Sequence, residues 1–137
     1  MKEGSMDLKK IDDLKNRISF GIKFWLKFKN GEPKNILGAG WAKLLESIAN
    51  TENDALKSLT KAAKECNYSY KYAWNILKRI ERRTGMSPVI TGKGGPGGGG
   101  YVKLSEWGKY LLKTYKRIEP ELIKLEKKLK ILLNLEH

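Results

Sequence analysis

Two stretches of this chain hold residue types that could do chemistry. One is ITGKGGPGGGGYVKL, Ile90 to Leu104, where a dense glycine run carries Lys93. Glycine-rich loops that lead into a helix can cradle phosphates with their backbone N–H groups. The other begins at Ser69. On a helical wheel Lys71, Asn75, Lys78, Arg79 and Arg82 gather on one side, with no acid among the five. Such donors suit phosphate oxygens and base edges. Catalysis has little to work with. The single histidine, His137, closes the chain in LEH, which reads with Leu135 as a tag remnant, as GSM at Gly4 to Met6 does. Cys66 is the only cysteine, so neither a zinc site nor an intrachain disulfide is expected. Pairs such as Asp12 with Asp13 alternate with lysines, the pattern of a solvent face. The expectation is therefore a protein that is not an enzyme, with no catalytic residues, metal or cofactor.

Charge sharpens that expectation. Lys and Arg exceed Asp and Glu to give a formal net charge of +13, which calls for a polyanionic partner: nucleic acid, an anionic membrane surface or an acidic protein. No apolar run approaches the roughly 18 residues that span a bilayer, and the lysine-rich start lacks an apolar signal core. A lone cysteine fits a reducing compartment, so the expected location is cytoplasmic and nucleoid-associated, without a membrane partner. The 40% hydrophobic content is enough to fill a real core.

The elements that must position these residues follow from periodicity. Residues 1–17 form an N-terminal segment, and Leu8, Ile11 and Leu14, with Ile18 just beyond it, predict a short amphipathic helix from Asp7 to Arg17. From Ile18 to Phe28 apolar and polar residues alternate, which predicts a half-buried strand. Asn30-Gly31 is the favoured two-residue hairpin turn, with Lys34 to Leu37 as the return strand. Trp41, Leu44, Leu45 and Ile48 then mark a core helix that ends near Asn50. Leu59, Ala62, Ala63 and Cys66 mark a second, whose small alanines admit a close helix crossing. Asn67 suits a left-handed helix end, and Ser69 suits the cap of a third helix over about 69–83. In that helix Ala73, Ile76, Leu77 and Ile80 face inward. Two helices, a short turn and a basic third helix make a helix-turn-helix pattern, whose last helix enters the DNA major groove.

The glycine run can now be placed. Val89-Ile90 before it and Tyr101 to Leu104 after it are β-prone, and Lys93 is followed by Gly94 rather than by the Ser/Thr that opens a Walker-type helix. The run therefore reads as the tip of a hairpin rather than a nucleotide loop or a linker. After a helix-turn-helix such a hairpin is a wing. Its glycines let the backbone approach DNA, and Lys93 adds charge near phosphate.

These residues carry a resemblance. SLTKAAKECNYSYKYAWNILKRIE followed by TGKGGPGGGGYVKLSEWGKYLL resembles the N-terminal winged-helix DNA-binding domain of the molybdate-responsive regulator (ModE) family, in particular its short archaeal-type members. Ala62-Ala63 matches the family's alanine pair. Ser69, Tyr70, Lys71, Ala73 and Trp74 match its recognition helix, and Gly94, Gly95, Gly97 to Gly100, Leu104 and Ser105 match its wing and the cap that follows. The resemblance spans about Phe20 to Leu112. It implies an α+β, mainly α fold: a winged helix-turn-helix over 18–112, with an N-terminal β-hairpin, a Gly-rich wing and a long C-terminal dimerisation helix over 113–134. The connection around Glu52 to Lys57 is longer than the family's, so no contacts are carried over there. Full-length regulators hold molybdate in a separate domain for which nothing after Leu112 offers room, so no molybdate is expected.

The expected DNA contacts are Lys61, Ser69, Tyr70, Lys71, Tyr72, Asn75, Lys78, Arg79 and Arg82, with Lys93, Gly94, Gly95, Gly97 and Gly98 from the wing. Double-stranded DNA is the expected partner, bound either by a transcriptional regulator or by a chromatin-type protein. The alternative is a protein-interaction module on the same fold that does not touch DNA. Self-association is the other expectation. Leu111, Tyr115, Ile118, Leu122, Leu125, Leu129 and Leu132 recur in steps of four and three, the seam of a coiled coil, with Pro120 inside it. A homodimer through that seam, helped by the Leu8 to Ile18 helix, is the reading that the rhythm supports; the alternative is a segment that folds back and packs on its own domain. A two-fold dimer also presents two recognition helices to one duplex.

Overall fold

In the computed structural model, residues 2–51, 59–93 and 100–134 are described. They form a mixed α+β chain, mostly helical, in the order α1 (Lys2–Lys15), β1 (Leu26–Phe28), β2 (Lys34–Leu37), α2 (Ala39–Asn50), α3 (Leu59–Glu65), α4 (Tyr70–Thr84), β3 (Val89–Lys93), β4 (Gly100–Leu104), α5 (Glu106–Leu129) and a 3-10 turn at Lys130–Asn134. The chain divides into two compact units. One is Lys23–Glu119; the other combines Met1–Ile22 with Pro120–His137.

The Lys23–Glu119 unit is built round one core. Leu44, Leu45 and Ile48 of α2 are fully buried, as are Ala62 of α3 and Ala73 and Ile80 of α4. The hairpins close it with Leu37 from β2, Val89 from β3 and Val102 and Leu104 from β4. Cys66 is buried as a small apolar group, its sulfur 3.6 Å from the Ser47 hydroxyl. Both hairpins are antiparallel pairs. Val89 lies opposite Leu104 and Lys93 opposite Gly100; residues 94–99 lie outside the described residues. The expectations for Gly94, Gly95, Gly97 and Gly98 fall there, and the long connection around Glu52 to Lys57 is outside them too.

Tight contacts fix the second hairpin to the start of α5. The Ser105 hydroxyl donates to the Ser87 carbonyl at 2.8 Å and accepts from the Gly108 N–H at 3.1 Å. Gly108 lies so close to Pro88 that a Cβ there would sit 2.0 Å from the Pro88 carbonyl oxygen. Trp107 donates its indole N–H to the Thr84 hydroxyl at the end of α4.

The first hairpin differs from its expectation in two ways. Only Leu26–Phe28 pairs as a strand, and a bulge interrupts its register with β2. Residues 20–28 nevertheless alternate between half-buried and exposed, so the period of two reports burial of Phe20, Ile22, Phe24, Leu26 and Phe28 correctly without a ladder to match. The reason is length: the four residues of β2 cannot pair with eleven. Phe28 pairs with Lys34, so the turn is the five-residue loop 29–33 rather than Asn30-Gly31 alone. Gly31 supplies the positive φ, at 80°.

The coiled-coil expectation needs a correction of the same kind. Leu111 and Tyr115 are 2% and 3% exposed and belong to the core of their own unit, where Tyr115 stacks on Phe24 with ring centroids 4.3 Å apart. They are not available as a dimer seam. Ile118, Leu125 and Leu132 are exposed, and Leu122 and Leu129 are half-buried. In α1, Leu8, Ile11 and Leu14 are also exposed. That helix starts at Lys2, earlier than the Asp7 expected from periodicity.

Candidate nucleic-acid interface

The short connection before α4 sets its direction. Asn67 takes the left-handed conformation with φ 59°, and both Cys66 and Tyr68 donate backbone N–H bonds to the Ala63 carbonyl. Ser69 then adopts extended backbone and its hydroxyl accepts from the Tyr72 N–H at 3.0 Å, capping the first turn. Gly85, with φ 86°, ends the helix through an N–H bond to the Glu81 carbonyl. Between those ends the inward positions are all taken by Ala73, Ile76, Leu77 and Ile80. The rest of the surface is left for polar work.

Lys71, Asn75, Lys78 and Arg82 form the stripe opposite the core, and all four are exposed. Two of the expected contacts sit differently from the plain wheel. Lys78 lies 3.6 Å from Glu81 and 5.9 Å from the centre of the Trp74 ring, so one acid does touch the basic face. Exposed pairs of this kind contribute little, about 0.2–1 kcal/mol, and a phosphate can replace the carboxylate. Arg79 is turned to one flank, its guanidinium 5.7 Å over the Trp41 ring of α2. Tyr70 and Tyr72 are half-exposed at 53% and 47%, and each meets another ring edge-on, Tyr70 with Trp74 and Tyr72 with Tyr68. Trp74 is half-buried against the core, the packing role its place on the wheel suggests. Lys61 is exposed on α3. Lys93 is the last residue of β3, at the edge of the described hairpin.

Tyr68, the residue before the cap, has its hydroxyl pKa raised from 10.0, first by burial and then by the neighbouring Tyr72 and Cys66. It is neutral at physiological pH and can donate a hydrogen bond.

Several residues near this face were not legible beforehand. Arg83 is half-buried, donates to the Asn35 carbonyl of β2, and stacks 5.9 Å over Trp41 beside Arg79. With Tyr72, Arg79, Trp41, Lys23 and Trp25 it lines a groove of about 500 Å³. The spacing of Arg79 and Arg83, one helical turn apart, is a local signal in the sequence. Their shared ring comes from a residue about forty positions earlier, and no local pattern announces that.

No family model matches the chain, and no curated protein matches it either. Among the described residues no helix is long and apolar enough to cross a membrane.

Proposed function

We propose that this chain is a double-stranded DNA-binding protein of the winged helix-turn-helix type, related to the ModE-family DNA-binding domain, and that it works as a homodimer. α4 is the recognition helix and the β3–β4 hairpin is the wing. The observation that carries the reading is the outer stripe of α4. Lys71, Asn75, Lys78 and Arg82 are exposed together on a rigid, doubly capped helix whose other face is locked into the core. Three cations and one amide at this spacing match a duplex: the cations meet phosphates, and the amide can read an adenine edge. The net charge of +13 supplies long-range attraction. Exposed Ile118, Leu125 and Leu132, with Leu8, Ile11 and Leu14 of α1, supply apolar surface that a second copy would cover.

Selection from a random duplex pool at several salt concentrations tests this. Affinity should fall steeply with salt, each neutralised phosphate adding about −0.9 to the log–log slope. Replacing Lys71, Lys78 and Arg82 by Ala together should flatten that slope by about 2–3 and weaken binding to every duplex alike. Unchanged affinity for the triple variant would remove α4 from the interface. Enrichment of a motif identifies a regulator, and occupancy without one identifies a chromatin-type protein.

A further inference from the structure

We propose that the groove between α2, α4 and the Lys23–Leu37 segment is a binding site for a small organic anion with a planar ring, of the nucleoside monophosphate class. The groove lies wholly within the Lys23–Glu119 unit, and its volume of about 500 Å³ falls in the usual range for small-molecule sites. Among the described residues three cations line it, Lys23, Arg79 and Arg83, and no carboxylate does. Among the described residues neither guanidinium has an acid partner; each rests on the Trp41 ring, and Arg83 is fixed further by the Asn35 carbonyl. Two guanidinium groups one helical turn apart that share one aromatic ring, with no carboxylate partner among the described residues, can clamp an oxyanion.

The other half of the lining is aromatic. Trp25, Tyr68 and Tyr72 line it as well, and Trp25 and Tyr72 are about half exposed, rings on which a flat base can stack. The first turn of α2 contributes Gly38, Ala39 and Gly40 to the same wall. None of the three brings a charge or a bulky side chain to it. A lining that combines cations with rings selects a ligand that has both a negative charge and a flat face. Tyr72 and Arg79 belong at once to this groove and to the flank of α4. A bound anion would therefore occupy a cation that a DNA phosphate also wants.

Titration of the isotope-labelled full chain with adenosine monophosphate, without DNA, tests the site independently of the DNA-binding reading. The four tryptophans give separate indole N–H signals. Those of Trp25 and Trp41 should move and saturate while that of Trp107 stays. Adenosine and inorganic phosphate should each bind at least tenfold more weakly than the nucleotide. Arg83→Gln should weaken nucleotide binding tenfold or more, the usual consequence of losing a charge-assisted bond. If that variant does not fold, Lys23→Gln, at an exposed position, should weaken binding in the same direction. No saturable shift at millimolar nucleotide, or equal binding by phosphate alone, overturns the proposal. So does nucleotide affinity unaltered in a folded Arg83→Gln. A duplex that shifts Trp25 and Trp41 where the nucleotide shifts neither also overturns it, and assigns the groove to the DNA footprint.

Discussion

α4 and α5 carry the same kind of apolar stripe and meet different fates. In α4 every inward residue from Ala73 to Ile80 is covered by its own unit. In α5 the stripe begins the same way, with Leu111 and Tyr115 buried, and then Ile118 and Leu125 emerge into solvent, as does Leu132 in the 3-10 turn that follows. A period of 3.6 says which face of a helix is apolar; it does not say what covers that face. α4 satisfies its stripe locally and can devote its outer face to a partner of opposite charge. α5 leaves apolar surface over, which in the proposed homodimer a second copy covers.

The largest effect should come from breaking the covered stripe. Leu77 is 1% exposed, and Leu77→Ala should cost about 2–5 kcal/mol in denaturant unfolding by loss of contacts and creation of a cavity. Leu125→Ala with Leu132→Ala, at 42% and 60% exposed, should leave the stability of the Lys23–Glu119 unit nearly untouched. Their effect should appear instead in the mass measured by light scattering, as a shift from dimer toward monomer. A comparable loss of stability from both changes would erase the contrast between the two helices.

Gly108→Ala probes the point where α5 enters the fold. The added Cβ would meet a backbone carbonyl oxygen at 2.0 Å, and no side-chain rotation relieves that. The helix or the β3–β4 hairpin must move, at about 2–3 kcal/mol. Hairpin displacement should also weaken DNA binding if the hairpin is a wing, so affinity measured well below the melting temperature separates the two consequences.

How much of this was legible in the sequence depends on the range of the interaction. Ser69 as cap, Asn67 and the inward set of α4 are local properties, fixed by backbone chemistry within a few residues, and each is found where the spacing places it. The second hairpin was also legible, because two β-prone runs flank its glycines. The extent of β1 was not. Alternation reports which side chains are buried, whereas a ladder needs a partner of equal length, and β2 is short. The seam was half legible, since the four-three rhythm is continuous across Leu111 and Ile118 although the burial is not. The Trp41–Arg79–Arg83 stack lay beyond reach for a further reason: its members meet only once α2, β2 and α4 have packed.

Ser69→Ala sharpens the local side of that contrast with a smaller effect. Losing the bond from the Tyr72 N–H should cost about 1 kcal/mol, read as a modest drop in melting temperature. Ser69 was also expected at the DNA contact. If capping is its whole contribution, affinity at low temperature and its salt slope should stay as they were. A lowered slope would instead give it a phosphate.

The smallest effect returns to the two helices through their tyrosines. Tyr68, just before α4, and Tyr115, in the buried part of α5, both have pKa values raised from 10.0. Burial is the first cause in each; Tyr72 and Cys66 add to it at Tyr68, and Glu119 adds to it at Tyr115. A raised value means that the folded chain holds these protons more tightly than the unfolded chain does. The resulting stability is fully present below pH 10, the unfolded value, and is lost as pH rises through the folded values. Lysines lose charge in the same range, so melting temperature alone is ambiguous. Tyr115→Phe resolves it, because Phe keeps a ring to stack on Phe24 and removes only the titrating hydroxyl. At neutral pH the variant should melt within a few degrees of the parent, and above pH 10 it should lose stability less steeply. Tyrosinate absorbance should show the missing hydroxyl as one of the last of the six to ionise. An alkaline loss as steep in the variant as in the parent would mean that Tyr115 is as open to water as the residues beyond Pro120, and the boundary between the covered and uncovered parts of α5 would have to move toward its N-terminus.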